Sequence, residues 1–372
     1  MIAGTDQLGW SETELLAEHA FVEPQIVAGV RCHGGYDEDG GYVSPRTLNR
    51  VPAIEAWQQA HRTTFGTDIL DIPLATWPEH YPNVPQARFL LDNQVREPIV
   101  AVLTRIGTVE GFGGLIRYTN VPDLPSTFDE DTRGTALAHL EHGLFEAHAR
   151  DETGHENEGG HTQMWWAARD LAFEHPVTED QTTMMLERMG IAQPGSGGKI
   201  DPAKLRADAM ANRILPAEVD FDLESMLGRM ISLLFIEISA FHAFNWAQTI
   251  LDDVDRVAGD GAAGDIIGHI RADETPHVDY LKTVLTEIRD RTVIDSKGHK
   301  YAGADLVRPV WERSLENSLG TRRDGQLDAM RAEVALAVEG RRNAKDLLAQ
   351  FDELGSTVRG ADGHWTARAA AG

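Results

Sequence analysis

Cysteine is almost missing from this chain. Cys32 is the only one in 372 residues, which excludes an intrachain disulfide and any zinc or iron–sulfur site built on cysteines. Basic residues are scarce as well: Lys and Arg number 34 against 59 Asp and Glu, for a formal charge of −25. A chain this acidic lacks the clustered Lys and Arg that track a phosphate backbone or hold an anionic membrane, so neither nucleic acid nor membrane is expected as a partner. Residues 1–10 contain no basic stretch leading into an apolar run, so no signal peptide is expected. The longest apolar stretch, 231–244, is too short to cross a bilayer and is interrupted by Glu237. A cytoplasmic protein is the resulting expectation.

Hydrophobic residues at 42% and charged residues at 25% are ordinary for a soluble globular chain. Residues 1–83 read as an N-terminal extension. Ser11 to Glu14 has the capping-box pattern and opens a short helix to about 20. Residues 34–45 form a loop or small hairpin, and 53–65 another helix. From 86 the apolar spacing turns helical, predicting helices over 86–120, 132–173, 222–257 and 264–291, with a linker at about 176–220. Residues 84–292 thus make a bundle. Helices near 304–318 and 326–354 fill a C-terminal section, 293–354, and 355–372 reads as a flexible tail. The glycine-rich run 193–199 looks like a phosphate loop only superficially, because Ile200 stands where Ser or Thr would hold magnesium.

Within the bundle one short word is written twice. Residues 151–155 read Asp-Glu-Thr-Gly-His and residues 273–277 read Asp-Glu-Thr-Pro-His. Each contains Glu-x-x-His, Glu152 with His155 and Glu274 with His277. Residues three apart share a helix face, so each carboxylate and imidazole can grip one metal ion together. Two single glutamates stand on the other predicted helices. Glu110 follows Ile99, Leu103 and Ile106 on an apolar face, and Glu237 interrupts Leu233–Ile238. An ionised carboxylate in such surroundings is expensive unless it is paired or bound to metal. Glu141, His148, Glu152 and His155 are spaced seven, four and three, which puts them on one helix face. Gly154 and Pro276 sit at matching places inside the motifs and predict a loosened second helix and a bend or bulge in the fourth. His142, His161, His242 and the Cys32-His33 pair have no supporting spacing and read as structural or exposed.

The order Glu, Glu-x-x-His, Glu, Glu-x-x-His resembles the ferritin-like di-iron carboxylate superfamily over about 86–292. The resemblance implies an all-α fold, a ferritin-like four-helix bundle with the N-terminal extension and extra C-terminal helices added. It implies metal held by Glu110, Glu152, His155, Glu237, Glu274 and His277, with Glu152 and Glu274 bridging and catalytic. Asp151 and Asp273 would each accept a hydrogen bond from a ligand histidine on the opposite helix. His148-x3-Glu152-x2-His155 is similar to the extra-histidine signature of the para-aminobenzoate N-oxygenase branch, in which His148 would be a seventh ligand. In that branch the extra histidine belongs to the second motif, where this chain has Ile270. The cofactors implied are two iron ions, with manganese or a mixed pair as alternatives, and O2 as co-substrate. The activity implied is that of an oxidase or oxygenase acting on a small organic substrate, supplied with electrons by a reductase or ferredoxin, with a homodimer allowed. Two other readings stay open: a ferroxidase or iron store, and a non-catalytic helical binding protein whose motifs are buried ion pairs.

Overall fold

A computed structural model describes residues 8–174, 177–188, 206–207 and 210–368. The glycine-rich run 193–199 lies outside the described residues. Among the described residues the chain is mostly helical, with short strand pairs at both ends and near residue 300.

The N-terminal section opens with the capped turn α1 (Glu12–Leu15), where Ser11 and Glu14 cap each other as their spacing predicts. It stops well short of residue 20. An antiparallel sheet follows, β1 (Glu23–Val27), β2 (Val30–Tyr36) and β3 (Tyr42–Val43). Val27 pairs with Val30 across a two-residue turn in which Ala28 and Gly29 both take positive φ, the geometry that a tight hairpin requires. The chain then enters α2 (Arg50–Phe65). The sheet also fastens the chain beside the site. His33 donates its backbone N–H to the Gly159 carbonyl, and Gly159 donates to the Arg31 carbonyl, both at 2.9 Å.

Four helical segments follow the predicted order, with two interruptions: the helix predicted over 86–120 breaks at 93–96, where Gln94 takes positive φ, and the one predicted over 132–173 breaks as well. After α3 (Val84–Asp92), α4 (Glu97–Gly113) buries Ile99, Val102, Leu103, Ile106 and Glu110. A short turn, α5 (Leu124–Thr127), leads to an irregular stretch at 137–144. The helix predicted over 132–173 is two helices, α6 (Phe145–Thr153) and α7 (His161–Phe173). Gly154 does more than loosen it: at φ +82° and ψ 171° it ends α6 outright. The turn 154–160 closes through paired backbone bonds between His155 and Glu158, and the Gly159 bonds to β2 fasten it. After α8 (Glu179–Arg188) come two long helices, α9 (Phe221–Leu251) and α10 (Ala262–Arg289), packed along each other. α10 runs as an α-helix through Pro276 without the expected bulge. α7 packs on both α4 and α10, and α6 lies against α4. Two of these helical stretches, Glu97–Tyr118 and Phe221–Leu251, are long and apolar enough by composition to cross a membrane, and most of each is buried inside the protein.

The hairpin β4 (Thr292–Ile294) and β5 (Lys300–Ala302) leads into α11 (Gly303–Leu319), which packs on α9 and α10. The C-terminal stretch expected as one helix over 326–354 is again two, α12 (Thr321–Val338) and α13 (Ala344–Leu354). The tail expected to be flexible forms a strand pair, β6 (Thr357–Arg359) with β7 (Trp365–Ala367), as far as it is described. Trp365 donates to Asp328 at 3.0 Å, which ties the pair down on α12.

The apolar interior is in two parts. One gathers Ile99, Leu103, Trp165, Phe244, Ile267 and Phe351; the other gathers Trp57, Phe145, Met230, Leu234, Leu281 and Ile288. α9 and α10 pass from one part to the other, and the polar residues Glu237, Asp273, Glu274 and His277 occupy the levels where they do so. Each fully buried large side chain contributes about 1.5–3 kcal/mol relative to exposure, so two apolar cores are available to offset one costly polar layer.

Gly154 carries the interruption of α6 and α7, and its dihedrals are open essentially to glycine alone. A Cβ there would also meet the Glu158 carbonyl oxygen. Gly154→Ala is expected to cost about 2 kcal/mol or more, measured by denaturant unfolding of the metal-free protein; a change within about 0.5 kcal/mol would show that the turn is not strained.

Candidate metal centre

Seven side chains from five helices, α6 and α7 together filling one of the four predicted segments, converge on the polar layer, all at least nine-tenths buried: Glu110 from α4, His148 and Glu152 from α6, His161 from α7, Glu237 from α9, and Glu274 and His277 from α10. They fall into two groups that share Glu152. Ligand atoms of Glu110, Glu152, His161 and Glu274 lie within 4.8 Å of one another, as do those of His148, Glu152, Glu237 and His277. Glu274 spans the two groups: Oε1 is 2.8 Å from His161 Nδ1, and Oε2 is 2.7 Å from His277 Nδ1.

Five of the six ligand positions implied by the resemblance are thus brought together, and one is not. His155 lies beyond the end of α6, in the turn, with its side chain 38% exposed beside Glu156. The i, i+3 argument requires a continuous helix, and Gly154 stops it one residue too early. His161, read from sequence as structural or exposed, stands at 0% exposure where the first group needs a histidine. The signal was Gly159-Gly160 before an apolar helix, which starts a new helix with His161 as its first residue. His148 belongs to the second group, with Nε2 3.5 Å from Glu152 and 3.4 Å from Glu237. Glu141 is exposed and accepts only the Val121 amide.

The inward atoms lack ordinary partners. His148 Nε2, both Glu152 oxygens, His161 Nδ1, Glu237 Oε2 and Glu274 Oε1 are buried without a hydrogen bond. His161 Nδ1 and Glu274 Oε1 are close enough to bond but are not aligned for it. Two ligands that converge on a third atom have this relation. Gly113 makes room for it, since a Cβ there would come within 2.8 Å of Glu152 Cγ.

Outward, His277 is held, whereas His161 Nε2 is also buried without a hydrogen bond to any described residue. His277 Nε2 donates to Asp151 at 2.9 Å, across from α10 to α6 as expected. Asp151 also receives Arg46 Nε at 2.7 Å and Arg50 at 2.8 Å. Asp273 was expected to serve the other motif histidine. Instead it takes His33 Nε2 at 2.9 Å, the Tyr42 hydroxyl at 2.8 Å and the Ser44 hydroxyl, with His161 Nε2 at 3.5 Å. Arg46 stands between the two aspartates, its second nitrogen 3.3 Å from His33 Nδ1. His33, Tyr42, Ser44, Arg46 and Arg50, which gave no sequence signal, therefore supply the outer layer. Ile270, at the branch signature's extra-histidine position, is buried in apolar packing, and His269 points away to stack on Tyr42 at 4.1 Å.

Protonation follows from this layering. Burial pushes Glu110 and Glu237 well above the usual carboxylate range, and neighbouring glutamates push them further. Burial also raises Glu274, but His161 and His277 beside it outweigh this and hold it well below. Burial lowers His277, while Glu274 and Asp151 raise it more, to about 10. Burial likewise lowers His161, and Glu274 with Glu152 carries it well above its ordinary value. His148 is held neutral by burial and by His277 stacked on it at 3.8 Å. Tyr280, kept protonated by burial and by Glu237, lies with its hydroxyl oxygen 3.2 Å from His148 Nδ1; in the tautomer in which Nδ1–H donates to that oxygen, Nε2 is a lone pair facing the carboxylates.

No family model, no curated protein and no solved structure matches this chain. What the centre does has to be read from its donors. Imidazole and carboxylate donors in this ratio suit iron or manganese, and no thiolate is present to favour softer ions.

His155 and His161 separate the two ligand assignments. His161→Ala is expected to weaken binding of one ion by at least about 100-fold, beyond the 10–100-fold typical of outer partners. His155→Ala is expected to bind as wild type, both read by calorimetric titration with anaerobic Fe(II). The opposite pattern would restore the helical Glu-x-x-His reading.

Proposed function

We propose that the chain is a di-iron oxidoreductase of the oxidase or oxygenase class, its four inner helical segments forming a ferritin-like bundle around the metals. The observation that carries this reading is the set of buried, unpartnered ligand atoms in two groups joined by Glu152 and Glu274. Four glutamates balance the charge of two divalent ions, which removes the cost that four mutually repelling buried carboxylates otherwise impose. Glu110, Glu152, His161 and Glu274 would hold one ion and His148, Glu152, Glu237 and His277 the other, with Glu152 common to both groups and Glu274 reaching each. Bound iron would supply the redox chemistry by which O2 is reduced and an organic molecule oxidised, with electrons from an external donor.

The chain's own residues do the rest. Arg46, Arg50 and Asp151 hold the His277 ring in one orientation, and His33, Tyr42 and Ser44 fix Asp273 behind His161. The apolar packing above and below the layer excludes water from it. Glu110, on the first group, faces a cavity of about 160 Å³ walled by Ile106, Val109, Phe235, Ile236 and Ala240. That opening favours a substrate-oxidising enzyme over an iron store, which needs no organic pocket at its metals.

Iron uptake separates these readings. Loaded anaerobically and then exposed to O2, the chain is expected to saturate at two irons and to stop there, as counted by metal analysis after gel filtration. Continued uptake to tens of irons per chain would make it a store, and retention of none would leave buried ion pairs. Binding should also depend on pH with a definite sign. Glu110 and Glu237, raised by burial, and His161 and His277, raised mainly by Glu274, hold protons that a metal must displace. Affinity is therefore expected to rise from about pH 5 to 8 with net proton release, followed by titration calorimetry in buffers of different ionisation heat. An affinity that does not change with pH would contradict these protonation states.

A further inference from the structure

The cavity that reaches Glu110 has a second end of different chemistry. Arg105 lines it, as do His80 and Arg322, and an adjoining space of about 120 Å³ shares Arg105 and His80 and adds Arg323. Arg105 makes no salt bridge or hydrogen bond to any described residue, and its Nε is buried without a partner. His80 Nε2 is likewise buried and unpartnered, its ring 4.5 Å from Trp246. Three arginines at one opening are unusual in a protein carrying −25. Among the residues lining the two spaces the carboxylates are Glu79, which is exposed, and Glu110, which belongs to the metal centre. A partly buried guanidinium with no counter-ion is costly, and its fork of donors fits a carboxylate or phosphate.

We infer that this cavity binds an amphiphilic anion, a carboxylate-bearing molecule whose charged head meets Arg105, Arg322 and His80 and whose apolar body runs along Ile106, Val109, Phe235 and Ala240 toward Glu110. Arg105 and Glu110 are five residues apart on one helix, roughly 7.5 Å along its axis. The carbon presented to the metals therefore lies several bonds from the head, and small anions such as acetate cannot use both ends. Neutral His80 adds a hydrogen bond without adding a charge, since burial and then Arg105 hold its pKa well below the ordinary value. The oxidation of such a molecule rests on the di-iron reading above; its binding does not.

The test therefore uses the metal-free full-length chain and calorimetry, with octanoate as the probe and octanol, octylamine and acetate for comparison. Octanoate is expected to bind at least tenfold more tightly than any of the three. Arg105→Gln is expected to cost tenfold or more in octanoate affinity and little in octanol affinity, and Arg105→Lys to restore part of the loss. Should Arg105→Gln fail to fold, Arg322→Gln at the exposed end is expected to cost several-fold. Octanol binding as tightly as octanoate, or octanoate binding that ignores both substitutions, overturns the inference. A chain that takes up two irons yet does not bind octanoate at millimolar concentration overturns this pocket and leaves the metal centre standing. A chain that binds octanoate with this specificity and holds no iron does the reverse.

Discussion

Four glutamate carboxylates, Glu110, Glu152, Glu237 and Glu274, are drawn together at no more than 5% exposure each. In water such a gathering would disperse. In a low-dielectric interior it can persist only if protons, imidazolium groups or metal ions neutralise it. The metal-free chain uses the first two, protons on Glu110 and Glu237 and positive charge on His161 and His277. Under the proposed function, two divalent cations at the same points would replace both. Much of the remaining architecture keeps this layer in place: two apolar cores clamp α9 and α10 above and below it, and the N-terminal sheet closes its side.

The N-terminal section is accordingly part of the centre. β2 fastens the turn 154–160 and so positions His161, while His33, Tyr42, Ser44, Arg46 and Arg50 hold Asp151 and Asp273. Arg46 is the link between the halves, since it bonds Asp151 behind His277 and approaches His33 behind Asp273. The two outer aspartates are thereby one network, with Arg46 and Arg50 compensating the charge on Asp151. His277 and Asp273 are then tied to each other through side chains that stand outside the inner cluster.

Sequence legibility divides along the same lines. Glu110 and Glu237 could be found because an acid on an apolar helical face is an anomaly that periodicity exposes, and Glu274 with His277 because α10 is regular through both. His161 could not, since its distance from Glu152 has meaning only once α6 is known to end at Gly154. The i, i+3 rule put His155 in its place for want of that one dihedral angle. The helices were legible as apolar periods, yet three of them proved to be broken, at 93–96, 154–160 and 339–343, where positive-φ residues and loop hydrogen bonds, rather than periodicity, decide the path. Of the outer layer only the two aspartates were legible, Asp151 taking His277 as expected, while the residues that hold them were not. His33 and Arg46 act across more than a hundred residues of sequence, and a single chain carries no trace of such pairings before it folds.

The most direct measurement of the central claim is anomalous diffraction at the iron edge from crystals loaded anaerobically with Fe(II). Two peaks about 3.5–4 Å apart are expected. One should be bordered by Glu110 and His161, the other by His148, Glu237 and His277, with Glu152 and Glu274 contacting both. A single peak, no peak within the carboxylate layer, or iron bound at His155 would contradict the account.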